Sequence, residues 1–205
     1  MKKTSSLIIV TVFAVSTFLL TGCGEAGSSK LSVYPFKTAV IQYELNGGTV
    51  GDQTLFIKGD QKALHKFITT VGQESSTFEL SLGDEKYIAD LDKMTAVKTV
   101  DVDYAAMLSM KTEEQKAYLI KKSLGLKESA VLPEPLITST IAGQQCDVYE
   151  IQNVGTACIW NGIVLQNEIT LAGVTNKITA VKVDVDTEIP AERFELPDGI
   201  IVAGK

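Results

Sequence analysis

Apolar and polar residues alternate with a period of two over residues 38–98, and breaks containing Gly or Asp interrupt the alternation repeatedly. A segment of this kind puts its apolar side chains on one face of an extended strand, and each break lets the chain turn back, so the pattern is that of antiparallel sheet. Ile41, Tyr43 and Leu45 alternate with Gln42 and Glu44, and Asn46-Gly47-Gly48 supplies the left-handed backbone a turn requires. Further strands are predicted at 54–58, 64–70, 77–82, 86–91 and 95–99, punctuated by Gly59-Asp60, Gly72, Gly83-Asp84 and Asp92-Lys93. Phe78, Leu80 and Leu82 point one way, and Glu79 and Ser81 the other.

The period then changes. Thr112 is placed to cap a helix whose capping box is completed by Gln115, with Glu113 and Glu114 at its positive end, Lys121 and Lys122 at its negative end, and Gly125 at C′. Ala117, Ile120 and Leu124 make its apolar stripe, with Tyr118 beside it. A shorter helical turn at 104–108 is opened by Asp103, and Pro133 and Pro135 break the chain before strands resume at 136–141, 146–152, 157–159, 163–171, 178–186 and 199–202. Strands before and after a central helix, without strand–helix alternation, predict an α+β fold with a large antiparallel sheet.

Lys2 and Lys3, the uncharged segment 6–20 and the small residues before Cys23 have the order of a secretory signal: n-region, h-region and cleavage site. A spanning helix needs about 20 consecutive apolar residues. This run is shorter and is interrupted by Thr11, Ser16 and Thr17. The sequence Leu20-Thr21-Gly22-Cys23 resembles the lipobox of bacterial lipoproteins. The resemblance implies that residues 1–22 are removed as a signal peptide, that Cys23 is acylated, and that the mature chain is held on a membrane by those acyl chains, each buried methylene contributing about 0.8 kcal/mol. Gly24, where an aspartate would retain such a protein at the inner membrane, implies the cell envelope at the periplasmic face of the outer membrane. Residues 23–32, with Gly27, Ser28 and Ser29, read as the lipidated cysteine and a flexible tether, leaving 33–205 as a single domain.

Loss of Lys2 and Lys3 takes the net charge from −6 to −8, which argues against nucleic acid as a partner. Arg193 is the only arginine, so no arginine cluster for phosphate is available. Cys146 and Cys158 are the natural disulfide pair in an oxidising compartment. With Asn153-Val154-Gly155 as a hairpin turn, Cys158 faces Glu150 and Cys146 faces Gly162, so a longer loop or a bulge is needed to join them; the alternative is two reduced, buried thiols.

Five segments taken in order, Ile41-Gln42-Tyr43-Glu44-Leu45-Asn46-Gly47, Lys86-Tyr87-Ile88-Ala89-Asp90-Leu91, Ile141-Ala142-Gly143-Gln144-Gln145-Cys146, Ile159-Trp160-Asn161-Gly162-Ile163, and Ile189-Pro190 with Phe194-Glu195-Leu196-Pro197-Asp198-Gly199, resemble uncharacterised periplasmic domains of the outer-membrane lipoprotein carrier and receptor superfamily. The resemblance spans residues 33–203 and rests on strand and turn chemistry. It implies a strongly curved, unclosed antiparallel half-barrel, with one main helix and a short helical turn covering an apolar concave face. Members carry acylated proteins between membranes, receive them at the outer membrane, or sense envelope stress. This chain departs from the soluble carriers in having its own lipid anchor and no arginine-based lid latch, which argues against a shuttle.

No catalytic signature is present: no Gly-x-Ser-x-Gly, no nucleotide-binding glycine loop and no haem attachment motif. His65, the only histidine, has no neighbours at metal-ligand spacing and reads as a half-exposed strand residue. Asp184, Asp186 and Glu188 share one face of a strand whose other face carries Val181, Val183 and Val185; a solvated sheet face is the simpler account, a calcium site or a catalytic carboxylate pair the alternative. Tyr43, Phe78, Leu80, Tyr87, Leu91, Trp160 and Val183 fall on faces able to line an apolar concavity or a filled core. The expectation is a non-enzymatic, cofactor-free binding module for an acyl chain, lipoprotein or other apolar ligand. The alternative is an envelope interaction, regulatory or assembly-accessory protein with a filled core.

Overall fold

The computed structural model describes residues 33–152 and 154–203. The expected signal segment, Cys23 and the whole of the expected tether at 23–32 lie outside them, as do Asn153 and residues 204–205.

The alternating region forms six successive strands: β1 (Thr38–Gly47), β2 (Thr49–Lys58), β3 (Gln61–Thr70), β4 (Gln73–Leu82), β5 (Glu85–Asp90) and β6 (Thr95–Val100). Two helices follow, α1 (Val102–Met107) and α2 (Thr112–Ser123). A second array then runs through β7 (Ile137–Ile141), β8 (Gln144–Ile151), β9 (Gly155–Trp160), β10 (Ile163–Leu171) and β11 (Val174–Val185), and a 3-10 turn (Ala191–Phe194) leads to β12 (Ile201–Ala203). Pairing of β1 with β11, Ile41 opposite Val183, joins the arrays into one twelve-stranded sheet with the order β12-β6-β5-β4-β3-β2-β1-β11-β10-β9-β8-β7. Neighbours are antiparallel except β12, which lies parallel to β6. The sheet is open, with β7 and β12 as its edges, yet curled: β7 meets β11 although β8, β9 and β10 lie between them. This is the expected α+β fold with an unclosed, curved antiparallel sheet.

Hairpin chemistry sets the register. Val71-Gly72, Ala142-Gly143, Asn161-Gly162 and Ala172-Gly173 all have positive φ and close two-residue loops, as tight right-twisted hairpins require. Strands β2, β4 and β11 start several residues earlier than predicted, because partners on both sides satisfy the backbone of weak strand formers such as Gly51-Asp52-Gln53. The helix starts also differ from expectation. Asp101, not Asp103, caps α1, its Oδ1 accepting from the Tyr104 N–H at 3.1 Å. The cap residue of α2 is Lys111 rather than Thr112, and Glu114 accepts from the Lys111 N–H at 2.9 Å. Gln115 is instead buried, donating to the Met107 and Met110 carbonyls at 2.9 and 3.1 Å, which fastens the end of α1 to α2.

Cys146 and Cys158 form a disulfide with Cα atoms 5.4 Å apart. Cys158 faces Val148, and Glu150 faces Thr156, so the turn lies one residue earlier than the expected 153–155 and the pairing is shifted by two residues. The cysteines are therefore diagonal neighbours on one face, near enough to bond in a twisted hairpin.

Three cores follow from these faces. The first fills the inside of the curl with Ile41, Tyr43, Ile57, Leu165, Ala180 and the disulfide. The second lies on the opposite face of β3–β6, where Phe78, Leu80, Ala63 and Ala89 are covered by Ile189 and Phe194 of the C-terminal segment. The third joins Leu124, the C-cap residue of α2, to Ala157 and Ile159, which flank Cys158 and so face outward from the curl, and to Tyr149, the cross-strand partner of Ala157. The helical cover is thus divided, α2 packing Leu124 outside the curl while Leu119 reaches the inner side.

Candidate functional site

In the β2–β3 hairpin the Gly59-Asp60 turn sets Leu55 opposite Leu64 and Ile57 opposite Lys62, and Ile41 faces Leu55 across β1. Leu55, Lys62 and Leu64 therefore share the inner face. Next to them α1 and Leu119 stand off the sheet and leave a cavity of about 320 Å³, at the lower end of the size of small-molecule sites. Its apolar walls include Val33, Leu55, Leu64, Met107 and Leu119, and its polar walls include Lys62, Glu79, Lys86, Asp101 and Asp103. Gly162 (φ +80°) lets α2 approach the β9–β10 turn, since a Cβ there would lie 3.0 Å from Leu119.

Charges around the cavity are largely paired. Glu79 meets Lys66 and, at 3.3 Å, Lys86; burial disfavours its carboxylate, but the two lysines hold it below the usual range. Asp103 accepts from Lys122 at 2.8 Å and from the Tyr118 hydroxyl at 2.7 Å, and burial of that hydroxyl beside a carboxylate pushes Tyr118 up to about 12. Asp60 accepts from the Tyr104 hydroxyl at 3.2 Å. At the cavity's inner border a column of rings is stacked: Tyr34 on Phe36 and Phe36 on Trp160, each pair with centroids 5.2 Å apart. The Lys62 ammonium lies 5.5 Å from the Tyr34 ring centroid.

The sequence-predicted apolar residues are not brought to one place. Tyr43, Trp160 and Val183 belong to the first core, Tyr43 donating its hydroxyl to the Val164 carbonyl at 3.0 Å. Phe78, Leu80, Tyr87 and Leu91 belong to the second, on the opposite face. None of the seven lines the cavity. Of the residues that do line it, Leu55, Lys62 and Leu64 had a signal in the Gly59-Asp60 turn, which fixes the cross-strand pairs, whereas Met107 and Leu119 come from the helices and had none. Asp184 pairs with Lys182 at 2.7 Å, and Asp186 accepts from the Lys37 N–H at 2.8 Å, so these carboxylates serve the sheet and its end.

His65 is pressed between Phe56 and Phe78, with ring centroids 5.8 and 4.4 Å away, and its Nε2 has no partner. Burial lowers its pKa, and nearby Arg193, which lies over the Phe56 ring, lowers it further. The unfolded chain therefore takes up this proton first as pH falls. The stability from neutral His65 is complete above its ordinary pKa of 6.5 and is lost as pH drops from there through the depressed folded value. Melting temperatures are expected to fall between pH 7.5 and 5 by more in wild type than in His65→Leu; equal slopes would show that His65 does not couple to folding.

Among the described residues no three His, Cys, Asp or Glu side chains converge as metal ligands, and no helix is long and apolar enough to cross a membrane. No known protein family matches the chain, and no curated protein matches it in sequence. Solved structures resemble it in shape. An uncharacterised conserved protein from Thermus thermophilus superposes with a TM-score of 0.51 at 9% identity, covering 82% of this chain and 91% of that one. The complex of Pseudomonas aeruginosa MucA and MucB gives 0.46 at 9% identity, covering 81% of this chain and 58% of that one, and PNGF-II gives 0.45 at 13%, covering 82% and 32%. At such identities the Thermus likeness concerns the fold alone.

Proposed function

We propose that this chain is a lipid-anchored protein of the cell envelope that binds an apolar or acyl-bearing ligand without transforming it. The observation that carries the reading is the cavity on the inner face, where Leu55, Leu64, Met107 and Leu119 offer apolar contact in a recess sized for a small ligand. The lipobox at 20–23 supports the anchor and the periplasmic side of the outer membrane as its location.

The purified protein is expected to bind a fluorescent fatty acid saturably, near one site per chain. Leu64→Glu should weaken that binding at least tenfold, because it sets an unpaired charge against the apolar body of the ligand, a cost of roughly 2 kcal/mol or more. Leu64 is only part-buried, so the variant should remain folded by circular dichroism. Wild-type protein that binds no acyl or apolar probe would shift the assignment to an envelope interaction or assembly-accessory protein.

The anchor has its own test. Cys23→Ala should abolish incorporation of a fatty-acid analogue in growing cells, and undiminished label on the variant would remove the lipoprotein reading.

A further inference from the structure

Four acidic side chains line the cavity beside Lys62 and Lys86, and each has a partner in the fold. Glu79 is held by Lys66 and Lys86, Asp103 by Lys122 and Tyr118, Asp60 by the Tyr104 hydroxyl, and Asp101 by the first turn of α1. Of the two lysines, Lys86 is matched by Glu79. Lys62 has no carboxylate within ion-pair distance among the described residues. Its ammonium lies 5.5 Å from the Tyr34 ring centroid; burial disfavours its charged form, but Tyr34, Asp101 and Asp103 together favour it against that cost.

Lys62 is also set apart by position. It follows the tight Gly59-Asp60 turn, sits opposite Ile57 on one side and Ser81 on the other, and is two residues from Leu64 on the same face. Leu55, Leu64, Met107 and Leu119 supply the apolar part of the same recess. Among carboxylates already engaged by other groups, a cation without an ion-pair partner beside an apolar wall is a recognition element for an amphiphile: the apolar wall contributes affinity, and the charge fixes which end of the ligand goes where.

We propose that the ligand carries an acidic head group, a carboxylate or phosphate, on an apolar body, and that Lys62 binds the head while Leu55, Leu64, Met107 and Leu119 hold the body. This rests on the binding reading given above and names its ligand class. Tyr34 positions the ammonium through the face of its ring. Because Tyr34 stacks through Phe36 onto Trp160, occupancy of the head-group site is coupled to the environment of the only tryptophan. Asp101 and Asp103 keep the mouth acidic, so the Lys62 contact has to outweigh their repulsion of the ligand anion; ligands whose acid group cannot reach Lys62 are selected against.

The test uses the full chain in phosphatidylcholine nanodiscs, titrated calorimetrically with decanoate, decyl phosphate and decanol, with empty nanodiscs as the blank. Decanoate and decyl phosphate are expected to bind about tenfold more tightly than decanol, the order of one charge-assisted contact. Lys62→Met should remove that difference and leave decanol binding within about twofold, whereas Lys62→Arg, which keeps the charge, should restore most of it. Equal affinity of wild type for the acids and the alcohol, or an equal loss of both in Lys62→Met, would overturn the head-group assignment while leaving the cavity reading intact. Absence of binding by all three ligands would overturn both. Preference for one acid over the other identifies the head group as carboxylate or phosphate.

Discussion

Leu80→Asp is expected to abolish the cooperative thermal transition of the domain. Leu80 is 1% exposed and lies in the second core with Phe78, Ala63 and Ala89, beneath Ile189 and Phe194. A carboxylate there is packed among apolar side chains, and an uncompensated buried charge costs about 3–5 kcal/mol, a large part of the 5–15 kcal/mol that holds a typical domain together. Circular dichroism melts decide the matter. A variant that stays folded at room temperature with a wild-type transition would mean that the C-terminal segment does not seal this face. The contrast with Leu64→Glu is informative, because both leucines come from the same alternating region. One substitution should destroy the fold and the other should affect only the cavity.

Replacing both half-cystines, Cys146→Ser with Cys158→Ser, is expected to lower stability by about 3 kcal/mol through the freed denatured chain. For a domain of this size that corresponds to a fall in melting temperature of roughly 6–12 °C. Both residues are buried, at 2% and 4% exposure, so the serine hydroxyls add an unfavourable desolvation cost. The double alanine variant separates the two effects: it lacks the crosslink without burying a hydroxyl, and should lie between the serine variant and wild type. Wild type melted under reductant should approach it. Unchanged melting in all three conditions would mean that the crosslink does not constrain the unfolded chain.

The alternation of residues 38–98 was enough to identify the sheet, because period-two patterning and Gly-containing turns are local properties of the sequence. Strand ends were harder to read. Gly51, Asp52 and Gln53 have no strand preference of their own, and they are extended because β1 and β3 pair with them on both sides. Which apolar faces belong together was hidden for a different reason. Alternation shows that Phe78 and Leu80 point the same way, but not what covers them, and the segment that does, 189–200, has no periodic pattern to announce itself. For the cysteines the face was legible and the partner register was not, since a turn placed one residue earlier moved the partner of Cys158 from Glu150 to Val148. Lys62 carried no signal as an isolated lysine; only the cross-strand pairs fixed by Gly59-Asp60 place it beside Leu55 and Leu64.

The placement of the last strands has a consequence for the order in which the molecule can be completed. β1 needs β11 for one of its two ladders, and the second core needs Ile189 and Phe194, so residues near the beginning of the domain wait for partners near its end. A chain delivered N-terminus first spends most of its emergence with β1–β6 lacking both an edge partner and a cover for one face. Such distant contacts slow folding, because loop closure must precede any reward. The late arrival of residues 174–203 thus acts as a timer: β1–β6 cannot lock into their final form until β11 and the C-terminal cover of the second core have been delivered.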